Sequence, residues 1–192
     1  MPCYIYPDLG VVFVRVPKTG STSVRGQFLG KPLPEHRIFG PIPEKYRYLK
    51  SFAYVRHPTE RFASAIAMFR KHKTMLWSDD AGRFARTICA NSVIDLLDDE
   101  RVRPGKNNYF ELLKLHAIPM THEHFGLELV ERIFRFESFK TEWAELAGFM
   151  GVPAPTLVHV KSGKREKPTF TEAEEDRIRR FFAADFERFD YD

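Results

Sequence analysis

Seven consecutive residues near the start of the chain, Pro-Lys-Thr-Gly-Ser-Thr-Ser at positions 17–23, are of types that suit an anion. Gly20 lets the backbone approach a ligand closely, because no Cβ stands in the way. Ser21, Thr22 and Ser23 bring hydroxyl donors, and Lys18 brings a point charge of the kind that binds phosphate. A second constellation follows at Arg56, with Ser64 eight residues later. A guanidinium offers planar, multidentate donors to phosphate, and a serine two turns into a helix can reach back towards the same group.

The elements that must position these residues are legible in the apolar pattern. Residues 11–16 (VVFVRV) form a short β-branched run ended by Pro17, which predicts a buried strand. Residues 24–29 continue the small-residue turn as a helix. Residues 52–55 (FAYV) predict a second buried strand, and Pro58 opens a helix with Phe62, Ala65, Ile66 and Phe69 at helical spacing. Each constellation therefore follows a strand, where backbone N–H groups and a helix dipole attract anions. Residues 132–136 (RIFRF) predict a third strand, followed by a helix through Phe139, Trp143, Leu146 and Ala147. Residues 79–100 and 107–115 also read as helical. Thr171 with Glu174 forms a capping box for a last helix containing Ile178, Phe181 and Phe182. Strands alternating with helices predict an α/β fold: a P-loop-like three-layer sandwich whose central, mostly parallel sheet is flanked by helices, with residues 1–192 as one domain.

The phosphate-loop pattern of nucleotide hydrolases, G-x-x-x-x-G-K-[ST], is not met. Lys18 precedes its glycine, and no glycine lies four or five positions upstream of the lysine. The segment VPKTGSTS at 16–23 instead resembles the 5′-phosphosulfate-binding loop of the sulfotransferase superfamily. That resemblance implies the donor 3′-phosphoadenosine 5′-phosphosulfate (PAPS), leaving as adenosine 3′,5′-bisphosphate. Lys18 would contact the bridging oxygen and stabilise the departing phosphate, while Thr19, Gly20, Ser21, Thr22 and Ser23 would wrap the 5′-phosphate. The family pattern V-R-x-P-x-x-R-x-x-S is met by Val55, Arg56, Pro58, Arg61 and Ser64. It implies that Arg56 and Ser64 grip the 3′-phosphate, with Arg61 structural.

Sulfuryl transfer needs a base for the acceptor hydroxyl, and seven histidines are available. In the carbohydrate-type branch a catalytic histidine commonly precedes a stretch ending F-x-x-V-R, here FAYVR at 52–56, which points to His36. His116 with Pro119 loosely resembles the family element His-Trp-x-Pro, with Ala117 in the aromatic position. It either faces the acceptor or packs a loop. His122, Glu123 and His124 lack a further ligand nearby in sequence, and no metal is expected. IFRFESF at 133–139 resembles the family strand that ends in a glutamate, here Glu137 as a tie between loops. The basic run KSGKREK at 161–167 resembles the variable loop that closes over PAPS, with Ser162, Lys164 and Lys167 as cofactor contacts. Asp185, Phe189 and Tyr191 match a closing-helix pattern and imply packing.

The bulk numbers fit this reading. A formal charge of +4 and 43% hydrophobic residues describe a mildly basic globular chain with a real core. Cys3 and Cys89 have no metal-type spacing and read as reduced thiols. No apolar stretch reaches membrane-spanning length and no leader pattern opens the chain, so a cytoplasmic protein without a membrane anchor is expected. The expected acceptor is a hydroxyl of a saccharide or glycoconjugate, with no nucleic-acid partner. A P-loop-type nucleotide kinase and a non-catalytic polyanion-binding protein are the alternatives.

Overall fold

The computed structural model describes residues 2–30, 32–33, 36–71, 116, 118–156 and 167–192. Its first element is one the sequence pattern did not announce. β1 (Pro2–Tyr6) pairs antiparallel with β2 (Val11–Val14) through a tight turn that ends on Gly10 at φ +63°. β2 stops two residues short of its apolar run. Cys3 faces Val14, and the next residue of β1 is Pro2, which has no N–H to extend the ladder.

β3 (Arg37–Phe39) pairs antiparallel with the other side of β1, while β4 (Lys50–Val55) runs parallel to β2 and β5 (Arg132–Arg135) parallel to β4. The five strands lie in the order β3-β1-β2-β4-β5. The fold is α/β as expected, but the sheet is mixed: parallel through β2, β4 and β5, antiparallel through β1 and β3. The helices are α1 (Ser21–Val24, continued by a π-helical turn at Arg25–Leu29), α2 (Pro58–Lys71), α3 (Trp143–Met150), α4 (Glu172–Phe181) and α5 (Ala183–Arg188). No helix among the described residues is long and apolar enough to cross a membrane. The helices expected at 79–100 and 107–115, and Cys89, lie outside the described residues.

The chain divides into two compact units, Met1–His57 with Met120–Gly163, and Pro58–Pro119 with Lys164–Asp192. In the first, Tyr4, Tyr6, Val11, Phe13, Phe52, Tyr54 and Phe134 present one face of the sheet to Val24 and Leu29 of the first helical segment and to Trp143, Leu146 and Met150 of α3. Phe13 stacks on Phe52 with centroids 4.9 Å apart, and Phe134 and Phe149 meet Phe52 edge-on. Ile5, Val12, Val14, Ala53 and Val55, which alternate with these, are buried as well. Burial on both faces explains why the strands read as continuous apolar runs rather than alternating ones. Cys3 is buried here too, and burial pushes its thiol up to about 12, so it packs as a small hydrophobe.

In the second unit, α2 buries Phe62, Ala63, Ala65, Ile66 and Ala67. Phe62 packs against Phe170 and Phe182 at 6.0 and 5.9 Å. The expected capping box is present: Glu174 N–H donates to Thr171 Oγ1, and Thr171 N–H donates to Glu174 Oε2. The expected last helix breaks at Phe182, so Ile178 and Phe182 are buried while Phe181 is exposed.

Arg61 is wholly buried and donates from Nη1 to the Ile118 carbonyl at 2.9 Å. Burial lowers it to about 10, opposed by the charge of Asp185, which is also fully buried. The structural role expected for Arg61 is thus visible, and Asp185 of the closing-helix pattern is its charge partner. Removing one member of a buried pair costs about 3–5 kcal/mol, whereas replacing both with apolar residues is often tolerated. Asp185→Asn should therefore lose stability of that order in urea denaturation, and Arg61→Met with Asp185→Leu should recover most of it. Unchanged stability in Asp185→Asn would remove the pair from the account.

Candidate functional site

Because β2, β4 and β5 are mutually parallel, their C-terminal ends share one edge of the sheet. Three segments leave that edge together: the loop at 15–20, Arg56 with His57, and Phe136 with Glu137. Ligands of open α/β sheets bind at this edge.

The loop after β2 holds an unusual backbone. Lys18 sits at φ +68°, and Gly20 at φ +79° caps the start of α1. A left-handed conformation costs a residue with a Cβ roughly 1–2 kcal/mol. Three contacts hold the loop in that shape. Thr19, fully buried, donates from Oγ1 to the Val16 carbonyl at 2.9 Å. Arg56 Nη1 reaches across from β4 and donates to the Lys18 carbonyl at 3.2 Å. Phe136, at the end of β5, lies beneath both, with the Arg56 guanidinium 4.6 Å from its ring centroid. A Cβ on Gly20 would sit 2.8 Å from Phe136 Cε2, so only glycine fits there.

This geometry separates roles that the motif alone grouped together. The hydroxyl of Thr19 is spent on Val16, so Thr19 is a strut whose contribution to a ligand is limited to its backbone. Ser21 Oγ accepts from Arg15 Nε at 3.2 Å. A guanidinium can only donate, so the Ser21 proton remains to be given to a third group. Thr22 is exposed, while Ser23 and Lys18 are half-buried. The first amides of a helix have no intrahelical acceptor, which leaves the N–H groups of Ser21 and Thr22 unused by α1. Hydroxyl and amide donors, a lysine and an arginine tether therefore gather in one short segment, the chemistry of an oxyanion cradle.

The other expected site residues are placed as follows. His36 is half-buried immediately before β3, and no contact among the described residues joins it to Lys18 or Arg56. β1 intervenes between β3 and β2, which sets the two strands about 10 Å apart. Ser64 is half-buried on α2, in the second unit. Lys167 is exposed and ion-paired with Glu60. Ser162 and Lys164 lie outside the described residues. Glu137 Oε1 accepts from the His57 N–H at 2.8 Å and so ties the β5 and β4 ends together. His116 is buried. His122 Nδ1 accepts from the His124 N–H at 3.1 Å, and burial, reinforced by His122, holds the His124 imidazole below its ordinary range. Phe136 and Arg15 were not singled out by type and spacing. Phe136 looks like one more apolar strand residue, and Arg15 like the polar end of a strand.

No protein-family model, curated protein or solved structure matches this chain.

The strained lysine gives a direct test of what the loop is shaped for. Lys18→Gly relieves about 1 kcal/mol of left-handed strain, so its thermal midpoint should rise while affinity for small phosphate anions falls. Gly20→Ala should lose both stability and anion affinity, because strain and the Phe136 collision add. Equal phosphate affinity in wild type and Lys18→Gly would remove the lysine from the cradle.

Proposed function

We propose that this protein is a PAPS-dependent O-sulfotransferase with a P-loop-like architecture, moving a sulfuryl group from PAPS to a saccharide hydroxyl. The single observation that supports this most is the hydrogen bond from Arg56 to the Lys18 carbonyl. The two cofactor motifs of the resemblance, 38 residues apart in sequence, are joined at the C-terminal edge of two parallel strands. The donor set also fits the group: Ser21 has a hydroxyl proton to give, and no acidic side chain is among the loop residues 15–23.

When bound, PAPS supplies an activated sulfuryl group. Lys18 would contact the bridging oxygen of the bound donor and offset the charge that collects there. The amides of residues 19–23 and the hydroxyls of Ser21, Thr22 and Ser23, with Ser21 foremost, would hold and orient the 5′-phosphate. Arg56 holds the loop through the Lys18 carbonyl, and the resemblance assigns Arg56 and Ser64 to the 3′-phosphate. His36 would take the proton of the acceptor hydroxyl. The resemblance assigns Ser162, Lys164 and Lys167 as further cofactor contacts.

Calorimetric titration with adenosine 3′,5′-bisphosphate, ATP–Mg²⁺ and 5′-AMP tests the donor. Binding of the bisphosphate alone, lost in Lys18→Ala and Arg56→Ala, is the expected result. A preference for ATP–Mg²⁺ would replace the sulfotransferase with a kinase. Once turnover is found, His36→Gln should lower kcat by about 10²–10⁴-fold, the usual worth of a general base, with bisphosphate affinity retained. A fall in affinity without a fall in kcat would assign His36 to binding.

A further inference from the structure

Around Tyr4, on the strands next to the loop, three arginines gather with no carboxylate partner among the described residues. The Arg15 guanidinium lies 6.0 Å from the Tyr4 ring centroid and donates from Nη1 to the Tyr4 hydroxyl at 3.1 Å. Arg25, on the π-helical turn after α1, lies 5.9 Å from the same ring. Arg37 is the direct cross-strand partner of Tyr4 on β3. Residues paired directly across antiparallel strands present their side chains to the same face, so Arg37 stands on the side of the sheet that Tyr4 occupies. Arg25 and Arg37 also both act electrostatically on Tyr6, two residues along β1.

The remaining contacts of these arginines are weak or neutral. Arg15 Nε serves Ser21, and Arg37 Nη2 reaches the Pro32 carbonyl at a long 3.5 Å. Arg37 Nε is buried and meets no acceptor among the described residues. All three side chains are half-buried, which removes part of their hydration but leaves them reachable from solvent. Guanidinium groups brought together in this way repel one another, and the Tyr4 ring face offsets only part of that repulsion. Tyr4 itself is 3% exposed, so its ring cannot serve as a stacking platform for a ligand. What the cluster offers is charge and forked N–H donors.

We propose that Arg15, Arg25 and Arg37 form an oxyanion subsite for the acceptor, receiving a carboxylate or sulfate ester carried by an acidic saccharide. The subsite differs from the nucleotide cradle of Lys18, Ser21 and Arg56. Arg15 touches both, donating to Ser21 on one side and to Tyr4 on the other. An anionic group at the cluster would thereby lie next to the loop that presents the sulfuryl group, which is where an acceptor must be. A guanidinium fork matches the two oxygens of a carboxylate or a sulfate bidentately, which a lysine cluster would not do. The assignment of the anion to an acceptor rests on the sulfotransferase reading. The anion site itself stands on the arginines alone.

The full chain is titrated in calorimetry, without nucleotide, with three oligosaccharides of equal length: hyaluronan hexasaccharide (carboxylates only), a dextran sulfate hexasaccharide and neutral maltohexaose. One or both charged probes should bind and the neutral one should not; which of the two binds separates carboxylate from sulfate. Arg25→Gln and Arg37→Gln should each weaken that binding by about tenfold, the loss expected for one charge-assisted contact. Arg179→Gln, in the second unit, removes the same charge elsewhere and should leave it unchanged. Adenosine 3′,5′-bisphosphate affinity should stay within about twofold in Arg25→Gln and Arg37→Gln. If either variant shifts the thermal midpoint, Arg25→Lys and Arg37→Lys replace it, keeping the charge and losing the fork.

Equal losses in all three glutamine variants would mean general polyelectrolyte attraction and overturn the subsite. Binding of neither charged probe would overturn it as well. A parallel loss of bisphosphate affinity would assign the cluster to the donor instead. Charged-oligosaccharide binding at the cluster in a protein that ignores the bisphosphate would leave the subsite standing and sink the sulfotransferase.

Discussion

The hydrogen bond from Arg56 to the Lys18 carbonyl is the contact on which the geometry of the site depends. It converts a strained turn into a fixed one, because the carbonyl it holds belongs to the residue at φ +68°. Guanidinium suits this tether, since it is planar, always charged and carries only donors. Phe136 supports the arrangement from below, in contact with Arg56 and closing the space under Gly20. The Phe136 N–H donates to the Val55 carbonyl, so the ring is anchored to the strand that ends in Arg56. Three successive parallel strands thus each contribute one part of a single constraint. The strain at Lys18 is a cost that packing alone has no reason to impose, and strain of this kind collects where a backbone must present groups to a ligand.

The mixed sheet follows from the hairpin at the start of the chain, and it changes the surroundings of that constraint. With β1 inserted beside β2, the loop has the parallel strand β4 on one side and an antiparallel pair on the other. The parallel side supplies Arg56 and Phe136. The antiparallel side supplies Tyr4 and Arg37 and carries His36 just ahead of β3. The loop lies on the boundary between the two sides.

Much of this was legible because the informative residues sit where local pattern is strong. The strand at 11–14, the strand at 50–55, the helix from Pro58 and the capping box at Thr171 all follow from apolar runs and turn chemistry. β1 was not legible, since a four-residue run between Pro2 and Pro7, buried on both faces, shows neither alternation nor length. The division of roles within residues 18–23 was not legible either. Nothing in the order Thr-Gly-Ser says that Thr19 Oγ1 turns back to Val16 while Ser21 is met by Arg15. Both outcomes depend on which carbonyl and which guanidinium the fold brings near. Phe136 was hidden for a related reason: its importance lies in the space it takes from Gly20, and a collision avoided leaves no mark on a sequence.

The net charge of +4 from 30 basic and 26 acidic residues is too small to draw polyanions from a distance, and at physiological salt surface fields fade within about 8 Å. The electrostatics that matter must therefore be local. The segment from 15 to 37 and the end of β4 concentrate Arg15, Lys18, Arg25, Arg37 and Arg56 on neighbouring strands and the loop between them. By contrast, Lys167 and Arg132 are paired with glutamates on the exposed surface. Arg15, Arg25 and Arg37 have no carboxylate neighbour among the described residues, and the proposed anion subsite rests on that contrast. In the proposed reading Lys18 and Arg56 would serve a nucleotide phosphate, and Arg37 on β3, on the far side of β1 from β2, would serve a second charged group.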